Sequence, residues 1–201
     1  MLVPKDQIIT LEMAEESPIG SKMMYHNLKS RLLSPKHGFL TTYILQEKKK
    51  GEESKYFPFI DILPKTFENF PIFFTPEEKE WLRGSPFLDQ VEEKIIDVKT
   101  DFDLICDKVP EYSQFSLTEF SEIRMMVSSR IFGMNILGKK TDGFVPMADM
   151  LNHKRPKQTS WTYTDDKNGF VIEALKDIPR NEQVYDSYGK KCNSRFFLNY
   201  G

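Results

Sequence analysis

The sequence has few of the residues from which disulfide frameworks and metal sites are built. It contains 2 cysteines and 3 histidines among 201 residues, and none of them is arranged as C-x-x-C or H-x-x-x-H. Cys106 and Cys192 are too few for a disulfide framework and suit a reducing compartment. We therefore expect an intracellular protein, cytoplasmic or nuclear, without a metal centre.

Charge and hydropathy exclude two further classes of protein. The formal net charge is −2, so the basic bias of a nucleic-acid-binding protein is missing. No apolar run reaches the roughly 18 residues of a membrane span, and the first residues lack the pattern of a secretory signal. We expect a monomer that binds neither nucleic acid nor membrane.

No G-x-S-x-G motif occurs in the sequence. A hydrolase that pairs Ser129 or Ser160 with His153 and Asp149 is therefore disfavoured, because the nucleophile elbow of such enzymes is absent. Taken alone, Asp149 is as well explained as the cap of a helical turn that Asn152 and His153 close.

Helical signals dominate the middle of the chain. The last predicted helix carries apolar residues at helical spacing as far as Met134, and Gly138 is expected to end it. The aromatic segment 56–64 is bounded by prolines and is expected to be irregular or extended. Pro35 is expected to end the first helix, which is predicted to begin at Ser21. Capping residues and periodicity predict helices that begin at Ser21, His37, Thr75, Ser85 and Ser116.

Short strands are predicted at both ends of the chain. Residues 1–12 contain two short apolar segments, and after Gly138 apolar and aromatic segments alternate with turn residues. Asn168-Gly169 between two such segments predicts a hairpin. Helices in the middle with strands at both ends predict an α+β fold.

Three motifs in the C-terminal part carry a resemblance to a known family. The chain reads PMADMLNH up to His153, NEQVYDSYG up to Gly189 and NSRFFLNYG up to Gly201. In this order and spacing they resemble the C-terminal half of a SET domain of the Rubisco-large-subunit-methyltransferase-like branch of protein methyltransferases. Residues 56–87 are similar to the helical insert of that branch, and SSRIF, residues 128–132, to its arginine-containing segment.

The resemblance implies a SET-type fold of short β-sheets with a threaded C-terminal segment and a large helical insert. It divides the chain into residues 1–12, the end of the N-terminal strand region, residues 13–138, the helical insert, and residues 139–201, the C-terminal SET core. Asn193 would anchor the threaded segment.

The resemblance also implies a cofactor and a set of site residues. S-adenosylmethionine would be the methyl donor, and Arg130 suits its carboxylate because a guanidinium pairs with a carboxylate in bidentate fashion. Tyr188 matches the catalytic tyrosine, and Phe132, Ala148 and Tyr185 would line the substrate channel. The residues expected to bind the cofactor are Arg130, Asp149, Met150, Leu151, Asn152, His153 and Tyr200.

The expected reaction is methyl transfer to a lysine amine of a protein substrate. A histidine-methylating member type of this branch has tryptophan at the position of Ala148 and asparagine at that of Phe132, so this sequence resembles the lysine-directed members. SET domains carry a G-x-G strand near their N-terminus, and no G-x-G occurs here. The chain is therefore expected to be a fragment of a longer enzyme, or to have lost this strand and act as a non-catalytic protein-binding scaffold.

Overall fold

A computed structural model describes all 201 residues and has the expected α+β fold. The chain forms two compact units, one of residues 1–12 and 130–190 and one of residues 13–129 and 191–201. We call them the strand unit and the helical unit. The prediction of short sheets combined with many helices is confirmed.

The strand unit contains three small sheets. Their strand orders are β1-β7-β6 and β2-β4-β3, both antiparallel, and the parallel pair β5-β8. The strands are β1 Leu2–Pro4, β2 Ile9–Thr10, β3 Phe132–Ile136, β4 Lys139–Phe144, β5 Asn152–His153, β6 Thr159–Thr164, β7 Gly169–Ala174 and β8 Tyr185–Asp186.

Local turn chemistry explains the hairpin of β6 and β7. Asn168 has a φ of 45°, a left-handed conformation that asparagine adopts more readily than most residues. Its N–H donates to the Asp165 carbonyl at 3.1 Å, and Thr164 pairs with Gly169 across the turn. The predicted hairpin is confirmed.

The core of the strand unit lies between its antiparallel sheets. Its buried members come from β1, β3, β6 and β7 and from the segments after β1 and β4, and they are Val3, Ile8, Met134, Val145, Ala148, Tyr163, Phe170 and Ile172. Because apolar burial is the main favourable term in folding, this cluster fixes the strands that precede the residues of the predicted site.

In the helical unit, α3, α6 and α7 each bury apolar side chains. None of the helices combines the length and apolar content that crossing a bilayer requires. The helices of the chain are α1 Leu11–Glu16, α2 Pro18–Tyr25, α3 Pro35–Lys50, α4 Phe57–Asp61, α5 Pro76–Glu80, α6 Pro86–Lys108, α7 Leu117–Arg130 and α8 Asn193–Tyr200.

Three helix starts agree with the capping prediction. Thr75 and Glu78 form a complete capping box at the start of α5, and Ser85 accepts a hydrogen bond from the Phe87 N–H at the start of α6. Before α7, the Ser116 and Glu119 side chains each accept a hydrogen bond from the other residue's backbone N–H. Side-chain bonds of this kind satisfy N–H groups that a helix leaves free at its first turn.

Three details of the helix prediction are wrong. Ser17, directly before α2, caps that helix instead of Ser21 and accepts a hydrogen bond from the Gly20 N–H. Pro35 begins α3 instead of ending the helix before it. Residues 57–61 form the short helix α4 instead of an extended segment. In both of the last cases proline occupies the first helical turn, where its missing N–H costs nothing.

The largest error concerns the end of α7. That helix ends at Arg130, and Phe132–Ile136 form β3, which pairs with β4. The turn between the two strands is formed by Leu137 and Gly138, both with positive φ. Pairing with the adjacent strand β4 across this tight turn overrides the helical spacing of the apolar residues in this segment.

Candidate active site

The centre of the candidate site is the parallel pair of β5 and β8. Asn152 pairs with Tyr185, and His153 pairs with Asp186. Since successive side chains of a strand point to opposite faces, His153 and Asp186 share one face, and Asn152 and Tyr185 share the other. The two segments that carry the sequence motifs are thus joined by backbone hydrogen bonds, among them one of 2.8 Å from the Lys154 N–H to the Asp186 carbonyl.

Tyr188 is held at two points by the first of these segments. Its hydroxyl donates to the Leu151 carbonyl at 2.7 Å, and its backbone N–H donates to Nδ1 of His153 at 2.9 Å. The rings of His153 and Tyr188 lie 5.2 Å apart. Because a backbone N–H can only donate, Nδ1 of His153 is an acceptor, and in the neutral ring Nε2 carries the proton. This arrangement fixes both the position of the phenol and the tautomer of the imidazole.

Arg130 and Asp149 form an ion pair beside this pair of strands. Nη1 of Arg130 lies 3.1 Å from Oδ2 of Asp149 and donates to the Asp149 carbonyl at 3.1 Å. Burial raises the pKa of the Asp149 carboxyl, and Arg130 opposes that rise by its charge and its hydrogen bond. Oδ1 of Asp149 is buried and has no hydrogen-bond partner in the protein.

The segment between these groups is a single short turn. Residues 148–150 form a 3-10 helix, and Met147 before it has a φ of 70°. Met150 is 37% exposed, Asn152 is exposed and Leu151 is partly buried. The residues from Asp149 to His153, which are predicted to bind the cofactor, therefore run from this turn into β5. Within them, Asn152 is open to solvent.

The three predicted channel residues have different surroundings. Ala148 is buried in the core of the strand unit, and Phe132 packs against that core. Tyr185 is half-buried, and Nζ of Lys154 lies 5.0 Å from the centre of its ring. The Tyr185 N–H donates to Oε1 of Gln158 at 3.1 Å.

Tyr200 belongs to the helical unit, where it lies in α8. Its ring is 5.6 Å from that of Phe196, and Nζ of Lys191 lies 5.4 Å from its centre. Its assignment to the cofactor site, like the roles of the other predicted residues, stays a prediction. Across the chain, no three His, Cys, Asp or Glu side chains cluster as a metal site would require.

Two side chains near the site were not singled out from the sequence. Asp186 is 5% exposed, and its carboxylate accepts hydrogen bonds from the Trp161 indole at 3.0 Å and from the Thr159 hydroxyl at 3.1 Å. The signal that could have found Asp186 is a charged residue that follows an apolar and an aromatic residue, two positions before Tyr188. Its partner Trp161 lies 25 residues away and has no local signal.

The sheets, the parallel pair and the site geometry together define a SET-type fold. The family model of the SET domain matches residues 3–189. The chain therefore belongs to the SET domain family, and the resemblance seen in the sequence is confirmed.

Solved structures agree with this assignment. The chain is similar to the SET domain of LSMT bound to lysine and AdoHcy, with a TM-score of 0.80, 22% identity and coverage of 99% of this chain and 46% of that one. It is also similar to Rubisco LSMT bound to AdoMet, with a TM-score of 0.78, 24% identity and coverage of 100% and 45%. At such identities these likenesses show the fold.

Curated relatives are equally distant. A ribosomal lysine N-methyltransferase, set10 of Schizosaccharomyces pombe, is 25% identical over 99% of this chain and 39% of its own length. An actin-histidine N-methyltransferase of Gallus gallus is 25% identical over 99% of this chain and 34% of its own length. The chain thus spans well under half the length of these relatives.

Proposed function

We propose that this chain is the catalytic domain of an S-adenosylmethionine-dependent protein methyltransferase whose acceptor is a lysine side chain. The observation that carries the proposal is the double anchoring of Tyr188, through its hydroxyl on the Leu151 carbonyl and its N–H on His153. A hydroxyl held in this way gives a fixed polar group beside the reacting atoms, and a fixed geometry is what an in-line transfer requires.

The polar groups of the site fit the proposed cofactor. S-adenosylmethionine, when bound, supplies an electrophilic methyl group on a positively charged sulfur. Arg130 offers N–H donors to a carboxylate, and the exposed Asn152 amide offers both a donor and an acceptor to an adenine edge. The unpartnered Oδ1 of Asp149 is a buried acceptor that suits an additional donor.

The acceptor amine must lose a proton before it can attack. At a reference pKa near 10.4, making a lysine amine neutral at pH 7 costs about 4.6 kcal/mol. A narrow channel lined by Phe132 beside the positively charged sulfur would lower that cost, because desolvation and like-charge repulsion both disfavour the charged form of the amine. In the transfer the nitrogen–carbon bond forms as the sulfur–carbon bond breaks, and the proton has already passed to solvent.

Lysine is favoured over histidine by two side chains of the site. Ala148 is a small side chain where the histidine-methylating type has a bulky tryptophan. Phe132 offers no hydrogen-bonding group to an imidazole. Of the two kinds of relative, the yeast ribosomal lysine methyltransferase therefore suggests the acceptor class, and ribosomal proteins are the first acceptors to test.

The test is transfer of a labelled methyl group from S-adenosylmethionine to purified ribosomes, with actin in a parallel reaction. We expect the label in methyllysine after acid hydrolysis of the ribosomal proteins. Tyr188→Phe should lower the rate at least tenfold, whereas Tyr25→Phe, at a side chain 85% exposed in the helical unit, should leave it unchanged. Label in methylhistidine would assign the other acceptor.

Cofactor binding separates an enzyme from a non-catalytic scaffold. We expect calorimetry to detect S-adenosylmethionine binding at about micromolar affinity, near −8 kcal/mol, and Asn152→Ala to weaken it tenfold or more. Asn135→Ala, at an exposed position of β3, is the matched control. Absence of both binding and transfer would favour the scaffold.

A further inference from the structure

Trp161 presents an aromatic surface next to the candidate site. It lies in β6 and is 37% exposed. On its inner side its ring stacks on Phe170, with centroids 5.4 Å apart and an interplanar angle of 23°. Part of the indole therefore stays open to solvent.

The indole connects the two halves of the site. Its ring meets that of Phe132 edge to face at 5.3 Å, and Phe132 follows Arg130 by two residues. Its Nε1–H donates to Oδ2 of Asp186 at 3.0 Å, and Asp186 precedes Tyr188 by two residues. Asp186 is also the register partner of His153 and shares its face of the parallel pair.

Asp186 holds the indole in one orientation. Its carboxylate is buried and is itself fixed by the Thr159 hydroxyl at 3.1 Å. A hydrogen bond from the indole N–H to a carboxylate draws electron density toward the ring, which strengthens the attraction of its face for a cation. An aromatic ring that only completed a core would have no need of this buried acid, because a buried charged group is costly.

We propose that Trp161 is a specificity-determining residue that binds the cationic side chain of the target lysine as it enters the site, and that Asp186 is the positioning residue that orients the indole. The inference rests on the proposed function, since it requires a lysine acceptor. The side chain is positively charged when the acceptor binds, and its nitrogen becomes positively charged again as the methyl group adds. Trp161 therefore contributes to binding of the acceptor in the ground state and in the transition state alike, and Tyr188 acts at the transfer itself.

A direct test uses the fluorescence of Trp161. The chain has 2 tryptophans, and Trp81→Phe removes the other, which is 80% exposed in the helical unit. In this variant, with S-adenosylhomocysteine present, we would titrate Nα-acetyl-lysine N-methylamide and the norleucine analogue, which lacks the amine. A saturable change in emission with the lysine compound alone is expected. Equal responses, or no response to either, would overturn the proposal.

Kinetics give a second test that a purely structural role would not pass. With the ribosomal acceptor, Trp161→Leu should raise KM roughly threefold to thirtyfold and leave kcat within about twofold, as expected for loss of a cation–π contact that ground state and transition state share. Trp161→Phe should recover part of the loss. Asp186→Leu should raise KM in the same way, and Asp186→Asn, which retains an acceptor for the indole, should raise it less.

The outcomes separate this inference from the proposed function. Transfer with an unchanged KM in Trp161→Leu would refute the role of Trp161 and leave the methyltransferase intact. Absence of transfer to any acceptor would refute the function, while the fluorescence titration would still report whether Trp161 binds a lysine. If Trp161→Leu does not fold, the titration of the Trp81→Phe variant decides alone.

Discussion

Arg130 allows Asp149 to be buried beside the site. The Asp149 side chain is 0% exposed, that of Arg130 is 22% exposed, and their closest atoms lie 3.1 Å apart. A buried carboxylate without a positive partner is costly to keep ionised, so Arg130 also stabilises the turn at 148–150 that contains Asp149.

Replacing Arg130 by methionine should therefore destabilise the protein. We expect the free energy of unfolding at pH 7 to fall by about 3 kcal/mol, the usual cost of breaking a buried pair from one side. Without Arg130 the pKa of Asp149 rises further, and a carboxyl whose folded pKa is raised loses stability as pH increases through that pKa. The stability lost in Arg130→Met, measured by urea unfolding, should accordingly be smaller at pH 4.5 than at pH 7.

The double variant Arg130→Met, Asp149→Asn provides the control for that experiment. It leaves no charge buried, so most of the lost stability should return and the extra dependence on pH should vanish. A double variant as unstable as the single one would mean that Arg130 stabilises the chain through packing of its methylene groups.

Side-chain contacts of the site differ in how far the sequence could predict them. Asn152, His153 and Tyr188 were found because they lie in motifs whose order and spacing resemble a family. The bond between Trp161 and Asp186 was not, because nothing in a single sequence relates two residues 25 positions apart on different strands. Long-range polar pairs of this kind have no local signal.

At the scale of secondary-structure elements, β4 depends on the absence of a side chain at Gly143. This residue pairs with Thr10 of β2 on one side and with Phe132 of β3 on the other. A methyl group there would overlap the Ile9 carbonyl oxygen and lie 3.0 Å from Cα of Thr10. Since β2 and β3 both pair with β4, an added atom at this point disturbs the whole sheet.

We expect Gly143→Ala to lower the free energy of unfolding by about 2 kcal/mol or more, as overpacking in a tight interior does. Gly133→Ala is the matched control, because Gly133 is exposed in β3 and its added methyl group would lie 3.8 Å from the nearest atom, in Asp142. It should change stability by no more than about 0.5 kcal/mol. Equal losses in the two variants, measured by urea unfolding, would contradict the role given to Gly143.

Elements were predictable where their signals are local. The caps at Thr75, Ser85 and Ser116 act within one helical turn, so the starts of α5, α6 and α7 followed from the sequence. The end of α7 did not, because Phe132–Ile136 have helical spacing and still form β3 through hydrogen bonds to β4. The hairpin with β4, closed by the turn at Leu137 and Gly138, decides between the two structures.

At the scale of the whole molecule, a group of ionisable side chains buried in the helical unit links stability to pH. Burial lowers the pKa of His37 to about 2, and the positive charges of Arg124, Lys36 and Lys94 lower it as well. Arg124 is itself 2% exposed, and burial lowers its pKa to about 10 although Asp101 and Asp97 oppose the change. Nδ1 of His37 and Nε of Arg124 are buried without a hydrogen-bond partner.

His37 should make the protein less stable in mild acid. Its folded pKa lies below the unfolded value near 6.5, so below pH 6.5 the unfolded chain takes up a proton that the folded chain refuses, and stability falls as pH decreases. The loss should approach about 1.4 kcal/mol per pH unit, or about 2 kcal/mol between pH 6.5 and pH 5. Glutamine at this position keeps a polar group but does not titrate, so the wild-type chain should lose about 2 kcal/mol more than His37→Gln over this interval in urea unfolding. Parallel pH profiles for the two chains would show that His37 is accessible to protons in the folded state, and the acid sensitivity would then have to come from the carboxylates.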